Sequence, residues 1–166
     1  TGNSGSNQLW GGNGDDTLDG AGGADRILGG AGNDRIIGGA GGDIVSGGWG
    51  DDTFIFRSND MLPGVIERIT DFEQGADKID LSAIDANAFI FGNQAFRIVQ
   101  SSFAETGNHF SGSAGELVII STYVSPAVGS SYQTVIGDIN GDGLKDFEIQ
   151  VSSASNAALT QSDFIL

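Results

Sequence analysis

Cysteine is absent, and histidine occurs once, as His109. Disulfides, thiolate chemistry and cysteine-ligated zinc are therefore excluded. One histidine cannot supply the H-E-x-x-H pair of a zinc protease, and a lone histidine in a polar loop reads as a surface residue. Basic residues are scarce: 7 Lys and Arg stand against 22 Asp and Glu, a net charge of -15. That balance repels phosphate backbones and anionic lipid, so no nucleic-acid partner is expected. No apolar run nears the ~20 residues that cross a bilayer, so no stable membrane insertion is expected. No Ser/His/Asp set stands out, and this stretch is not expected to be an enzyme. No signal peptide opens the chain, and Thr1 falls inside a repeat-like phase, as in a fragment of a larger protein.

Glycine is abundant instead, and it is ordered. Residues 11–55 divide into five ninefold copies: GGNGDDTLD, GAGGADRIL, GGAGNDRII, GGAGGDIVS and GGWGDDTFI. Residues 2–10, GNSGSNQLW, are a worn copy ahead of them. Each full copy has Gly at places one and four, Asp at place six and an apolar residue at place eight. Glycines at places one, two and four are expected to allow positive φ and a sharp turn. The residues after the Asp make a short strand with only its middle side chain pointing inward. Leu18, Ile36 and Phe54 then stack on one side; Leu9, Ile27 and Val45 stack on the other. Two copies form one coil of 18 residues, and coils pile at about 4.8 Å.

Piling also aligns acids. Asp16, Asp34 and Asp52 form one row; Asp25 and Asp43 form the other, headed by Asn7. Carboxylates about 4.8 Å apart repel by roughly 3 kcal/mol at an effective dielectric of 20. One buried apolar side chain per copy contributes about 1.5–3 kcal/mol, too little against that repulsion and the ordering entropy of a glycine-rich coil. A cation between the coils is required. Oxygen donors without His or Cys select a hard ion, and an irregular cage suits calcium.

The pattern G-G-x-G-x-D-x-U-x is that of the RTX calcium-binding repeat, and the chain resembles that family. The resemblance implies ions held between turns of copies two apart: Asp16 with Asp34, Asp34 with Asp52, Asp25 with Asp43. Backbone carbonyls of Gly11 and Asn13, Gly29 and Ala31, and Gly20 and Gly22 would complete the cages. Asn7 with Asp25 would be weaker, since Asn brings no charge.

Composition shifts at Thr53. DTFIFRS reads as a strand, NDMLPG (59–64) as a turn, and VIERITDF with EQGADKIDLS as a short buried element, a turn, a strand and a helix start at Ser82. This stretch resembles the D-x-I-x-D-F…G-x-D-x-I-D-L-S segment of serralysin-type proteases and alginate-epimerase R-modules. On that comparison Arg68 replaces the first Asp, and Asp71 retains the second and closes the last calcium site, with Asp77 and Asp80 nearby. AFIFGNQAFRIVQ (88–100) and GELVIISTYV read as strands, and FSGSAGEL (110–117) resembles a serralysin segment.

A second calcium-type loop lies between two strands: Asp138, Asn140, Asp142, Gly143 and Asp146. Its opening matches an EF-hand loop, but place twelve is Ile149. It is similar to the D-x-N-x-D-G-x-x-D loops of propeller blades; the other reading is a turn closed by its own side chains. Asp163-Phe164-Ile165-Leu166 resembles the C-terminus of type I secretion substrates.

The expected architecture is all-β: a parallel β-roll of calcium repeats over 1–57, continuing into a β-rich C-terminal half over 58–166 with at most short helices. The expected role is a calcium-dependent folding and type I secretion module of an extracellular protein. Calcium ions and the secretion machinery are its partners. The alternative is an accessory module binding a polysaccharide, alginate, as epimerase R-modules do.

Overall fold

The computed structural model describes residues 1–86, 94–99, 110–122, 132–153, 155 and 157–166. His109, the segment 125–131 and most of the strand expected over 88–100 lie outside them. Each repeat makes one short strand on alternating sides. On one side lie β1 (Gln8–Asn13), β3 (Arg26–Ala31) and β5 (Ile44–Trp49); on the other lie β2 (Thr17–Asp19), β4 (Arg35–Ile37) and β6 (Thr53–Arg57). Leu9 pairs in register with Ile27 and Ile27 with Val45; Leu18 pairs with Ile36 and Ile36 with Phe54. All these pairings are parallel, the roll expected from the repeats.

Neither sheet stops at residue 57. β7 (Ile66–Ile69) joins β5, and β8 (Lys78–Ala83) joins β6, both in parallel. β12 (Phe147–Ser152) then extends the first sheet, followed by β11 (Tyr132–Asp138), β10 (Glu116–Thr122) and β9 (Arg97–Val99). The second sheet ends with β13 (Phe164–Ile165) beside β8. Among the described residues the result is an eight-stranded sheet facing a five-stranded one. The apolar ladders run on through both: Val45 to Ile69 to Val151, and Phe54 to Ile79 to Phe164. Ile27, Phe72, Ile79 and Ile149 are wholly buried between them. Phe54 meets Phe72 at 6.2 Å between ring centroids, so the roll shares its core with the C-terminal half.

The structure corrects two details. Ser82 lies within β8 and begins no helix; its amide and hydroxyl donate to Asp80 Oδ1. The one helical element among the described residues is a 3-10 turn, Gln161–Asp163. Positive φ occurs at places two and four, as at Gly12, Gly14, Gly30 and Gly32, but not at place one. Place one is glycine for lack of space. A side chain at Gly11 would lie 2.6 Å from the Gly29 carbonyl oxygen and 2.7 Å from Asp16 Oδ2. Ala21 takes place two with φ of 76°, where the other full copies have glycine.

Candidate metal centre

Two ladders of acids run along the two turn edges of the roll. In the first, Asp16 N–H donates to Asp34 Oδ1 at 2.8 Å, Asp34 N–H to Asp52 Oδ1 at 2.8 Å, and Asp52 N–H to Asp77 Oδ1 at 3.0 Å. In the second, Asn7 N–H donates to Asp25 Oδ1 at 2.7 Å, Asp25 N–H to Asp43 Oδ1 at 2.7 Å, and Asp43 N–H to Glu67 Oε2 at 3.0 Å. The repeat period places every one of these residues except the last in each ladder. There the coil lengthens, from 18 residues to 25 at Asp77 and 24 at Glu67. Register corrects the alignment given above: Arg68 pairs with Ile44, so Glu67, not Arg68, is the residue beside Asp43.

In Asp25, Asp34, Asp43, Asp52 and Glu67 one oxygen is engaged by these bonds and the other is not. Oδ2 of Asp16, Asp25, Asp34, Asp43 and Asp52, and Oε1 of Glu67, are buried with no hydrogen-bond partner. Asp34, Asp43 and Asp52 are at most 1 % exposed. Each bare aspartate oxygen borders the space over the place-one glycine of its own repeat. In three copies a carbonyl from the next coil borders the same space: Gly29 O at Asp16, Gly38 O at Asp25, Gly47 O at Asp34. A methyl group at Gly20 or Gly29 would collide with both oxygens. Asn7 Oδ1 and Gly20 O meet over Gly2, but there Asn7 Oδ1 accepts Asn3 N–H at 2.7 Å. In the cradles of Asp16, Asp25 and Asp34 the nearest polar atoms are acceptors. A buried acceptor left unanswered costs about 1–3 kcal/mol, more if charged.

Burial raises the pKa of Asp34, Asp43, Asp52, Asp77 and Glu67. Asp34 and Asp52 are shifted upward, first by desolvation and then by the neighbouring acids of the row. Desolvation pushes Asp43 and Asp77 to about 6 and Glu67 to about 8. Each bare oxygen therefore demands a proton or a cation. An all-oxygen set of carboxylate and carbonyl, without His or Cys, fits calcium. Among the described residues no three acidic or histidine side chains converge on one point, so carbonyls must supply much of any cage.

The other expected ligands fall into different settings. Gly11, Gly20 and Gly29 floor the cradles of Asp16, Asp25 and Asp34, and the Gly20 and Gly29 carbonyls face the coil before. Ala31 O accepts Gly14 N–H at 2.6 Å, so part of its capacity is used in the backbone ladder. Asn13 and Gly22 pair in register with Ala31 and Ala40. Asp71 lies at the Asp52 end but grips the turn before it: Oδ1 accepts Gly47 N–H and Oδ2 accepts Gly48 N–H, both at 3.0 Å. Its charge raises the pKa of Asp52 and Asp77. The rung beyond Asp52 is Asp77, whose Oδ2 also accepts Glu73 N–H at 2.8 Å.

The loop between β11 and β12 is closed by its own side chains. Asp138 accepts Gly141 N–H at 2.6 Å and Gly143 N–H at 2.9 Å; Asn140 and Asp142 each accept the amide two residues on. Asp146 Oδ2 accepts Ile139 N–H at 2.6 Å, and Oδ1 accepts the Asn140 side-chain amide at 3.1 Å.

The sequence profile of the family described as "Peptidase M10 serralysin C terminal" matches residues 21–166. The chain belongs to that family. The profile of the RTX calcium-binding nonapeptide repeat matches residues 1–27. This serralysin-type C-terminal module is 40 % identical over 108 residues to metallopeptidase AprA of Pseudomonas marginalis. That alignment covers 64 % of the module and only 18 % of the relative. The module is also similar to the R3 subunit of AlgE6, a mannuronan C5-epimerase of Azotobacter vinelandii. The TM-score is 0.66 at 29 % identity, covering 99 % of this chain and 80 % of that one. The R2 subunit of the same epimerase gives 0.54 at 27 % identity, covering 95 % and 91 %.

Proposed function

We propose that this module is the calcium-gated folding and type I export unit of a larger extracellular protein. The observation that carries the reading is the pair of ladders of bare, buried carboxylate oxygens. At low cytosolic calcium those charges oppose one another and the roll stays open, fit for passage through a channel. At millimolar calcium outside, affinities of the order of 10⁻⁴–10⁻³ M suffice. Binding free energy then becomes folding free energy. Asp16, Asp25, Asp34, Asp43 and Asp52 hold the ions, with Glu67 and Asp77 at the last rungs and carbonyls of the place-one glycines between them.

The roll and the C-terminal half fold together in this reading, because the sheets and the core run through both. The Asp163–Leu166 segment fits the same scheme. Asp163 is fully buried in a capping box with Thr160, and Phe164 pairs with Ile79 on the second sheet. An exporter would have to read this segment before folding hides it. The activity of the parent protein resides in sequence beyond this module.

The test is circular dichroism of the chain in excess chelator and in millimolar calcium, with secretion of a passenger fused ahead of it. Strand signal that appears only with calcium, and export that needs residues 163–166, are expected. Equal strand content in both conditions ends the proposal. A second reading, an accessory module for polysaccharide, is supported by the likeness to the epimerase R subunits.

A further inference from the structure

Residues 157–166 tie the first sheet to the second, and a short set of anchors holds them. On the first sheet the buried Gln133 of β11 grips the segment with both ends of its amide. Its Nε2 donates to the Ala157 carbonyl at 2.7 Å, and its Oε1 accepts Leu159 N–H at 2.7 Å. On the second sheet β13 makes two residue pairs, both with β8. A third anchor is Gln74, whose Nε2 donates to the Ala158 carbonyl. Docking also carries a cost. Asp163 is wholly buried; its Oδ2 accepts the amide and the hydroxyl of Thr160 at 2.7 and 3.0 Å, but its Oδ1 has no hydrogen-bond partner. A buried acceptor left unanswered weakens the docked form.

Two of these anchors trace back to one rung. Asp52 N–H donates to Asp77 Oδ1 at 3.0 Å, and the Asp52 carbonyl accepts Lys78 N–H at 2.8 Å. Lys78 opens β8, so this rung seats β8 on β6, and β8 is the strand that β13 pairs with. Asp77 also closes the turn that carries Gln74. Its Oδ2 accepts Glu73 N–H at 2.8 Å, and its own N–H donates to the Glu73 carbonyl at 2.9 Å. The rung is heavily charged: Asp52 brings a bare Oδ2, and the charge of Asp71 acts on both acids. Three carboxylates without a cation oppose the seating of β8. The other ladder ends differently. Glu67 lies in β7, which pairs with β5 and β12 on the first sheet.

We propose that the cation at the Asp52–Asp77 rung is a latch for the C-terminal segment. Bound, it seats β8 and the 73–77 turn, and residues 157–166 dock on them. Lost, it frees that segment while the earlier coils stay closed. The proposal rests on the calcium-gating reading and deepens it: one ion, at one rung, decides whether the last residues are hidden or offered. Coupling between two sites is reciprocal, so the docked segment must in turn tighten the same ion. Asp16 provides the contrast within the same ladder. It stands two coils before Asp52, its amide donates to Asp34, and its strand, β2, pairs with β4 and not with β8.

The test is hydrogen exchange of the full chain in saturating calcium, read by mass spectrometry at residues 159–165 and, for the roll, at β3. Asp52→Asn keeps the Oδ1 acceptor and removes the charge of the bare oxygen. It should speed exchange at 159–165 by about tenfold, the usual scale of coupling between sites, and leave β3 within about twofold. Asp16→Asn, the same swap at the first rung, should leave 159–165 within about twofold of wild type. Gln74→Ala touches no rung. It should loosen 159–165 and weaken one ion by about fivefold in calorimetry, with the other ions unchanged. Equal protection of 159–165 in Asp52→Asn and wild type overturns the latch, and so does equal loss in Asp52→Asn and Asp16→Asn. Should Asp52→Asn unfold β3 as well, Gln74→Ala decides: a loosened segment with every ion as tight as before overturns the coupling. A wild type whose β3 is as protected in chelator as in calcium ends the calcium-gating reading itself. A failed latch leaves β3 dependent on calcium.

Discussion

Replacing Asp34 by asparagine should have opposite effects with and without calcium. Asp34 is a middle rung: Oδ1 accepts Asp16 N–H and its own N–H donates to Asp52, each at 2.8 Å. Asparagine keeps the size and the Oδ1 acceptor. In place of the bare Oδ2 it puts an amide donor beside the Gly47 carbonyl oxygen. Without calcium, the change deletes two carboxylate pairs one strand apart, each worth roughly 3 kcal/mol at an effective dielectric of 20. The upward pKa shift of Asp34 and Asp52 has the direction that burial and this repulsion give, and salt screens part of the repulsion. A net gain of about 2 kcal/mol in the chelated state is therefore expected. With calcium, the neutral residue weakens the two sites that share Asp34. A loss of about 1.4 kcal/mol raises the calcium midpoint tenfold, and at least that shift is expected. The assay is a calcium titration of D34N and wild type by far-ultraviolet circular dichroism, with ion stoichiometry by calorimetry. An unchanged midpoint refutes the ligand assignment. A raised midpoint with no gain of structure in chelator refutes the claim that bare charge holds the roll open.

The remaining predictions concern protons, the last rung, one backbone position and the second loop. In chelator, strand content should fall as pH rises. The folded pKa of Asp43 and Asp77 is about 6 and that of Glu67 about 8, against ordinary values of 3.8 and 4.5. Their contribution is whole below the ordinary values and is lost as pH climbs through about 6 and then about 8. Saturating calcium should reverse the slope, because acid competes with the ion for the same oxygens; a pH series of dichroism in both buffers reads this out. Glu67→Gln should lower the ion count and leave the chelated chain more structured, by calorimetry and dichroism respectively. Ala21→Gly should stabilise the calcium-loaded fold by about 1 kcal/mol, read in a denaturant titration, since a side chain at φ of 76° is strained. Asp142→Ala should lower the ion count by one if the 138–146 loop holds calcium, and an unchanged count removes that site.

The repeat made the register legible because its period and its inward side chain agree. An Asp, one intervening residue and an apolar residue fixed which acids stack and which residues line the core. Beyond Phe54 the period fails, and Asp71, reached by a motif resemblance and by standing close to one coil beyond Asp52, is not the residue that takes the Asp52 N–H. Yet the local unit persists. Glu67 precedes Ile69, and Asp77 precedes Ile79, by the same two positions that separate Asp16 from Leu18. The strands continue the ladders there, and the longer coil is absorbed in loops. That unit, followed without demanding glycines, locates both last rungs. The place-one glycines were misread for a different reason. Sequence shows that a side chain is missing, not whether φ or space forbids it. Space decides here, and the excluded volume is the one bordered by the bare oxygens. Glycine at place one and aspartate at place six are therefore one requirement: the first leaves the cradle open, and the second supplies the charge that must be answered in it.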